Sequence, residues 1–244
     1  MKVAVVGYGR MGREVEAVLH ERGHEGAAID IGQPYPSGCD VGIDFTQADA
    51  VPGNVAAAIG SGSRYVVGTT GWLDKLDEVR GMVVRAGGGL VHAANFSIGV
   101  NLYYRVVRAA ADLLARFPEY DPYVLERHHR LKKDAPSGTA KALSDIVEAS
   151  KGARFRPVTS FVGAIPEDAF HVASLRAGGI VGDHTVGFDS GGDEILIEHR
   201  ARSRRGFALG AVIAAEWIAS RKGVHTFEAV LDDLIKNAPP PTAP

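Results

Sequence analysis

The chain contains a single cysteine, Cys39, so no internal disulfide can form. That excludes the disulfide-stapled secreted scaffolds and fits a reducing compartment; Cys39 itself reads as a small loop or core residue. Long hydrophobic runs are also missing. The first apolar stretch, Val3-Ala4-Val5-Val6, stops at Gly7, far short of the roughly 20 residues a membrane helix needs. Met1-Lys2 leads directly into it, which predicts no secretory leader and a soluble, cytoplasmic protein. Nor is there an excess of charge: 27 basic against 29 acidic residues leave a net charge of −2. That balance argues against a nucleic-acid partner, which calls for a basic face.

Glycine is what the chain has in quantity, with 30 residues, and 45% of it is hydrophobic. This suits many tight βα turns around a real core. At 244 residues it can be one large domain or two small ones. Val3–Val6 reads as a buried parallel strand. A helix follows, with Met11, Val15, Val18 and Leu19 on one face and Gly23 as its stop. Further strands are predicted at Ala27–Ile29, Val41–Phe45, Tyr65–Val67 and Leu90–His92. Strands alternating with helices imply a Rossmann-like, doubly wound parallel sheet.

Near residue 100 the pattern changes. Val100–Arg116 is a long amphipathic helix, Tyr123–Glu126 a strand leading into two histidines, and Gly138–Ser150 another helix. Strand-like runs then succeed one another at Val158–Val162, His171–Leu175, His184–Phe188 and Glu194–Arg200. Such a succession implies a second α+β domain with an open mixed or antiparallel sheet, one face of which must be covered by helices or another subunit. Helices at Gly206–Ser220 and Thr226–Lys236 are expected to pack back on the first domain. The division predicted is 1–100 with 205–244 for the dinucleotide, and 101–204 for substrate and oligomerisation. The proline-rich tail from Asn237 to Pro244 is expected to fray.

Two segments carry chemistry. Gly7-Tyr8-Gly9-Arg10-Met11-Gly12 follows a strand and opens a helix, the context a dinucleotide fingerprint requires. Gly7 permits the turn, Gly9 lets backbone approach a pyrophosphate, and Gly12 lets helix pack on strand. The helix N-terminus supplies free N–H groups and a positive dipole. Asp30, at the end of the second strand, suits the ribose hydroxyls of NAD. Neither Ile31 nor Gln47 supplies an arginine for a 2′-phosphate, although Arg10 and Arg13 are near in sequence. NADH is therefore favoured, with NADPH tolerated. Gly68, Thr69, Thr70 and Gly71, with Ala94, Asn95 and Phe96, end the strands bordering the cofactor crevice and are assigned to the nicotinamide end; Phe45 is assigned to the cofactor as well.

The second segment is Glu126-Arg-His128-His129-Arg-Leu-Lys132-Lys-Asp134-Ala-Pro136-Ser137-Gly138-Thr139-Ala140. In an extended chain His128 and His129 point opposite ways and so have different tasks. A histidine gives a proton near neutral pH, and Lys132 stabilises negative charge. Ser137, Gly138 and Thr139 open a helix and offer a carboxylate site. A metal held by His128, His129, Asp134 or His171 is disfavoured, because adjacent histidines lack helical zinc spacing and cations surround them. Serine hydrolysis through Ser137 lacks the Gly-x-Ser-x-Gly elbow.

This segment resembles the signature of the 4-hydroxy-tetrahydrodipicolinate reductase (dihydrodipicolinate reductase) family. The resemblance spans nearly the whole chain, through Asp44-Phe45-Thr46, Gly68-Thr69-Thr70-Gly71, Asn95–Asn101, Gly182-Asp183-His184-Thr185 and His199-x-Ala201-x-Ser203-Arg204. It implies reduction of a cyclic dicarboxylate by NADH or NADPH in lysine and diaminopimelate biosynthesis. His128 would be the proton donor and Lys132 its catalytic partner, with their roles interchangeable at this stage. His129, Lys132, Ser137, Gly138 and Thr139 would bind carboxylates, Arg204 would support the site or a hinge, and the assembly would be a homotetramer. Two departures leave cofactor preference open: many members have one more residue between the first two glycines, and the segment from Asp30 to Asp40 is short. Reduction of another dicarboxylate, or NAD(H) sensing without turnover, are the rival readings. Domain closure about residues 99–101 and 203–206 is a further expectation.

Overall fold

The computed structural model describes residues 1–30, 32–152 and 155–238; the end of the proline-rich tail, 239–244, lies outside them. The chain divides into two compact units, Met1–Ile98 with Arg204–Pro244, and Gly99–Ser203.

In the first unit the strands are β1 (Lys2–Val6), β2 (Glu25–Ile29), β3 (Val41–Asp44), β4 (Arg64–Val67), β5 (Gly89–His92) and, near the C-terminus, β11 (Gly223–Thr226). They form one parallel sheet in the order β11-β5-β4-β3-β1-β2. Alternate side chains feed opposite faces. Val3, Val5, Ile43 and Val66 meet helices α1 (Arg10–Glu21), α6 (Arg205–Ile218) and α7 (Phe227–Lys236). Ala4, Val6, Tyr65 and Val67 meet α2 (Val51–Gly60) and α3 (Leu76–Arg85). Both faces are thus covered, which is why these strands read as unbroken apolar runs. The strand order reverses between β1 and β3, so the carboxyl ends of those two strands make the topological switch point where such sheets take ligands. Strand β11 was not legible in the sequence: Gly223-Val-His-Thr is an edge strand of half-exposed residues with one apolar side chain.

The second unit holds α4, whose span Ile98–Leu114 begins one residue before it, then β6 (Asp121–His128), α5 (Gly138–Lys151), β7 (Arg156–Val158), β8 (Ala169–Arg176), β9 (Asp183–Asp189) and β10 (Glu194–Arg200). The sheet order is β10-β9-β6-β8-β7. Strand β9 runs antiparallel to both β10 and β6, whereas β6, β8 and β7 run parallel, so the sheet is mixed. One face packs Val124, Phe170, Val172, Val186 and Phe188 against Tyr103 and Val107 of α4 and Leu143 and Val147 of α5. The other carries Tyr123, Leu125, Arg127, Leu175 and Leu196, half-buried or exposed. Two expectations shift. The strand predicted at Val158–Val162 ends at Val158, leaving Phe161 and Val162 exposed ahead of Gly163 and Pro166. Strand β6 runs two residues past Glu126 to His128, and that extension shapes the site.

Candidate active site

In the first unit the turns after β1, β3 and β4 interlock at the switch point. Gly7 has φ +89, and a Cβ there would meet the Phe45 carbonyl oxygen at 2.7 Å. The Phe45 ring lies on Gly68, where a Cβ would come within 2.2 Å of it. Beneath them Asp44 is fully buried and gathers the turns: it accepts from Thr46 Oγ1 (2.7 Å), Thr69 Oγ1 (2.8 Å), Asn54 Nδ2 (2.9 Å) and Tyr65 Oη (3.0 Å). Thr69 also accepts from the Thr46 N–H. Its hydroxyl is therefore committed to holding the turns together, whereas Thr70 is exposed.

The residues assigned to a dinucleotide fit one. Gly9 caps α1 without a side-chain hydrogen bond, and the first turn carries no acid. A Cβ on Gly9 would meet nothing within 4 Å, whereas one on Gly12 would lie 2.4 Å from the Gly7 carbonyl oxygen. The helix end thus keeps its N–H groups and an open approach for phosphate. Arg10 is exposed and Met11 half-buried. Tyr8 donates its hydroxyl to Glu16, and the Arg13 guanidinium stands 5.7 Å from the Tyr8 ring centre. Asp30 is exposed at the end of β2; Ile31 lies outside the described residues. Ala94 is exposed and Asn95 half-buried, the latter accepting the Ser97 N–H at 2.8 Å. Phe96 differs. Its ring is buried against Phe227, 4.8 Å between centres, so its backbone is what it can offer a ligand.

In the second unit the extended end of β6 puts Glu126 and His128 on the same, buried face, while His129 falls past the strand end, half-buried. Glu126 is completely enclosed. Its Oε1 accepts from Ser174 Oγ (2.7 Å), Arg176 Nη2 (2.7 Å) and the Ser137 N–H (3.0 Å). Its Oε2 stands 2.5 Å from His128 Nδ1. Burial pushes the carboxyl pKa up, but the bonds from Arg176, Ser174 and Ser137 prevail and hold it at about 2. His128 is pushed below the usual imidazole range, chiefly by burial and further by Lys132 and Arg176, against the pull of Glu126. His184, brought opposite Glu126 by the β6–β9 register, lies edge-on to His128 at 5.1 Å. Burial, and then the neighbouring His128, lower it to about 4.

Ser137 caps α5, its Oγ accepting from the Ala140 N–H and lying 3.2 Å from His184 Nε2. Gly138 is exposed and Thr139 half-buried in the first turn, which contains no acid. Lys132 reaches Asp134 at 2.7 Å. The residues brought together are thus His128, Ser137 and three that sequence reasoning left without a role: Glu126, Arg176 and His184. Strand alternation was the available signal for Glu126. His171, by contrast, sits near the opposite end of β8 from Arg176. Glu126, His128 and His184 have metal-like spacing, with ligand atoms within 4.8 Å. Yet Glu126 Oε1 is saturated by donors, His184 contacts Ser137, and Lys132 and Arg176 flank the group. This chemistry suits a hydrogen-bonded network better than a cation site.

A doubly wound sheet with a glycine turn at its switch point, joined to a mixed-sheet unit with a buried carboxylate–imidazole pair, defines a Rossmann-like α/β oxidoreductase. Two family models match: "Dihydrodipicolinate reductase, C-terminus" over residues 99–231 and "Dihydrodipicolinate reductase, N-terminus" over 29–96. The chain belongs to the dihydrodipicolinate reductase family. A 4-hydroxy-tetrahydrodipicolinate reductase of Christiangramia forsetii is 34% identical over 97% of this chain and 100% of its own length. One of Archaeoglobus fulgidus is 37% identical over 95% and 100%. In fold, the chain is similar to the dipicolinate-bound dihydrodipicolinate reductase of Paenisporosarcina sp. TG-14, with a TM-score of 0.73, 23% identity, and coverage of 94% of this chain and 98% of that one. The N-terminal match begins at residue 29, beyond the shortened glycine turn.

Proposed function

We propose that this chain reduces 4-hydroxy-tetrahydrodipicolinate, the compound in its relatives' names, to tetrahydrodipicolinate with NADH or NADPH. The observation that carries the reading is the enclosed Glu126–His128 pair beside the Ser137-capped start of α5, in a chain whose β1–α1 turn fits a dinucleotide. The reaction removes one water from the cyclic substrate, adds a hydride and a proton to the conjugated imine, and leaves an oxidised nicotinamide. The reduced nicotinamide supplies the hydride. His128 gives the proton, and Lys132 exchanges Asp134 for the developing negative charge. The free N–H groups of Gly138 and Thr139, with His129, Lys132 and Ser137, hold the two carboxylates. Asp30 favours NADH, because a carboxylate there accepts ribose hydroxyls and repels a 2′-phosphate. The single cysteine fits a cytoplasmic setting. The second face of the mixed sheet is the surface through which four copies assemble.

Mixing the purified chain with the cyclic substrate and either nucleotide, while following nicotinamide absorbance, tests the assignment. Oxidation dependent on this substrate is expected. Binding of NADH without oxidation would instead indicate a sensor, and oxidation only with a different acid would indicate another reductase.

A further inference from the structure

The network around His128 contains more than the proton donor needs for its own packing. Three adjacent strands deliver it. Strand β6 supplies Glu126 and His128 two residues apart on one face. Strand β8 places Ser174 opposite Glu126 and Arg176 opposite His128, and β9 places His184 opposite Glu126. Arg176 is itself fixed by the Asp134 carbonyl at 2.6 Å, and Ser137 by its place at the head of α5. All the donors converge on Glu126 Oε1. The enclosed carboxylate cannot rotate without giving up its bonds from Arg176, Ser174 and the buried Ser137 N–H, at a real free-energy cost. Its other oxygen is thereby held 2.5 Å from His128 Nδ1, an ion-pair contact in which the two atoms do not meet in hydrogen-bonding geometry.

An ionised carboxylate only accepts hydrogen bonds. At that separation a bare Nδ1 lone pair would face a negative oxygen in an enclosed space, so the ring must carry its proton on Nδ1. The opposite nitrogen, Nε2, faces Gly182, where a Cβ would intrude to 3.0 Å; only glycine keeps that edge of the ring clear. We propose that Glu126 is a positioning residue for His128, fixing the Nδ1–H tautomer and orienting the ring so that Nε2 is the atom that gives the proton. This rests on the assignment of His128 as proton donor made above. After donation the neutral ring keeps its Nδ1 proton beside the Glu126 carboxylate, and Nε2 is left with a lone pair ready for reprotonation.

The charged and titratable groups facing His128 are Glu126 on its own strand, Arg176 on β8, His184 on β9, and Lys132 with its partner Asp134 in the following loop. Arg176, Lys132 and a protonated His184 oppose an imidazolium, and Glu126 is the near group that supports one. Replacing Glu126 by Gln tests this directly. The three donors hold the amide oxygen at the Oε1 position, so the amide NH2 turns toward Nδ1. A donor there reverses the tautomer, moving the proton of the neutral ring to Nε2, and disfavours the imidazolium.

The measurement is the 15N NMR of imidazole-labelled full-length protein, with the His128 signal assigned by its loss in His128→Gln, alongside steady-state kinetics. Neutral His128 in the unsubstituted protein should be Nδ1-protonated, which needs no variant to fold. In Glu126→Gln the tautomer should reverse. There kcat should fall about 10²-fold, with a much smaller change in KM. The alkaline limb of the kcat/KM profile should move down by about one pH unit. A neutral His128 protonated on Nε2 in the unsubstituted protein would overturn the proposal. So would a Glu126→Gln enzyme with unaltered kcat and limb, the result a merely structural glutamate would give. If His128→Gln loses kcat while Glu126→Gln keeps it, the proton-donor assignment survives and only the role of Glu126 falls. If His128→Gln keeps it, both fall.

Discussion

At the scale of single residues, the proposed proton donor is an imidazole that is harder to protonate than usual in the free protein. Burial lowers the His128 pKa, and Lys132 and Arg176 lower it further. A dicarboxylate brings opposite charge to the same place and raises it again. The sign is then fixed: ligand binding near neutral pH should take up protons, approaching one per site. Titration calorimetry with pyridine-2,6-dicarboxylate, repeated in buffers of different ionisation enthalpy, measures this; proton release on binding would contradict the picture. On the proposal that His128 gives the proton, kcat/KM should fall as pH rises through its lowered pKa. His128→Gln should reduce kcat about 10²-fold, the range for loss of a general acid, and should abolish that limb. An unchanged kcat would remove His128 from the role. The pair His128 and Ser137 was legible from residue types alone. What brings them together was not, because Arg176 reaches Glu126 and His184 reaches Ser137 from strands distant in sequence.

At the scale of elements, the glycines of the β1–α1 turn have separable roles that the motif by itself does not distinguish. Gly12 is a packing residue, since a Cβ would drive into the Gly7 carbonyl at 2.4 Å. Gly9 has open space around it and φ −81, ψ −154, backbone that alanine adopts without strain. Gly12→Ala should therefore lower stability by about 1–3 kcal/mol, the usual cost of overpacking, seen as a lower thermal midpoint. Gly9→Ala should melt within about 0.5 kcal/mol of the parent yet bind NADH about tenfold more weakly, a loss of roughly 1.4 kcal/mol. Equal NADH affinity in parent and Gly9→Ala would mean that phosphate does not approach the backbone there. The central strands of this sheet were legible because both of their faces are apolar. Two edge pieces were not: β11 offers one apolar side chain and β7, in the second sheet, three residues, so periodicity has too little to work with. The end of β6 was missed for a related reason. Polar residues continue the alternation there, and an apolar pattern stops at Leu125 while the ladder with β8 runs on to His128.

At the scale of the whole molecule, the second sheet poses the question of its own covering. Helices α4 and α5 bury one face. On the other, Leu196 is 55% and Leu175 43% exposed, and Tyr123 lies over Gly187, where a Cβ would strike its ring at 2.3 Å. On the same face Arg127 pairs with Asp183 and Glu198, both at 3.2 Å. An exposed sheet face that mixes apolar side chains with ion pairs suits self-complementary pairing of sheets across a twofold axis. Two such sheets packing face to face bring Leu196 of each copy into a dry layer about 10 Å thick. If four copies assemble through this face, as proposed above, light scattering behind size exclusion should give the mass of four chains at micromolar concentration. Leu196→Glu places a carboxylate in that layer with no cation among its register neighbours, Gly187 and Tyr123. It should shift the mass toward smaller species while the far-ultraviolet spectrum stays that of the folded chain, because Leu196 lies outside the core under α4 and α5. A parent protein that runs as a single chain at that concentration would remove this face as the assembly surface.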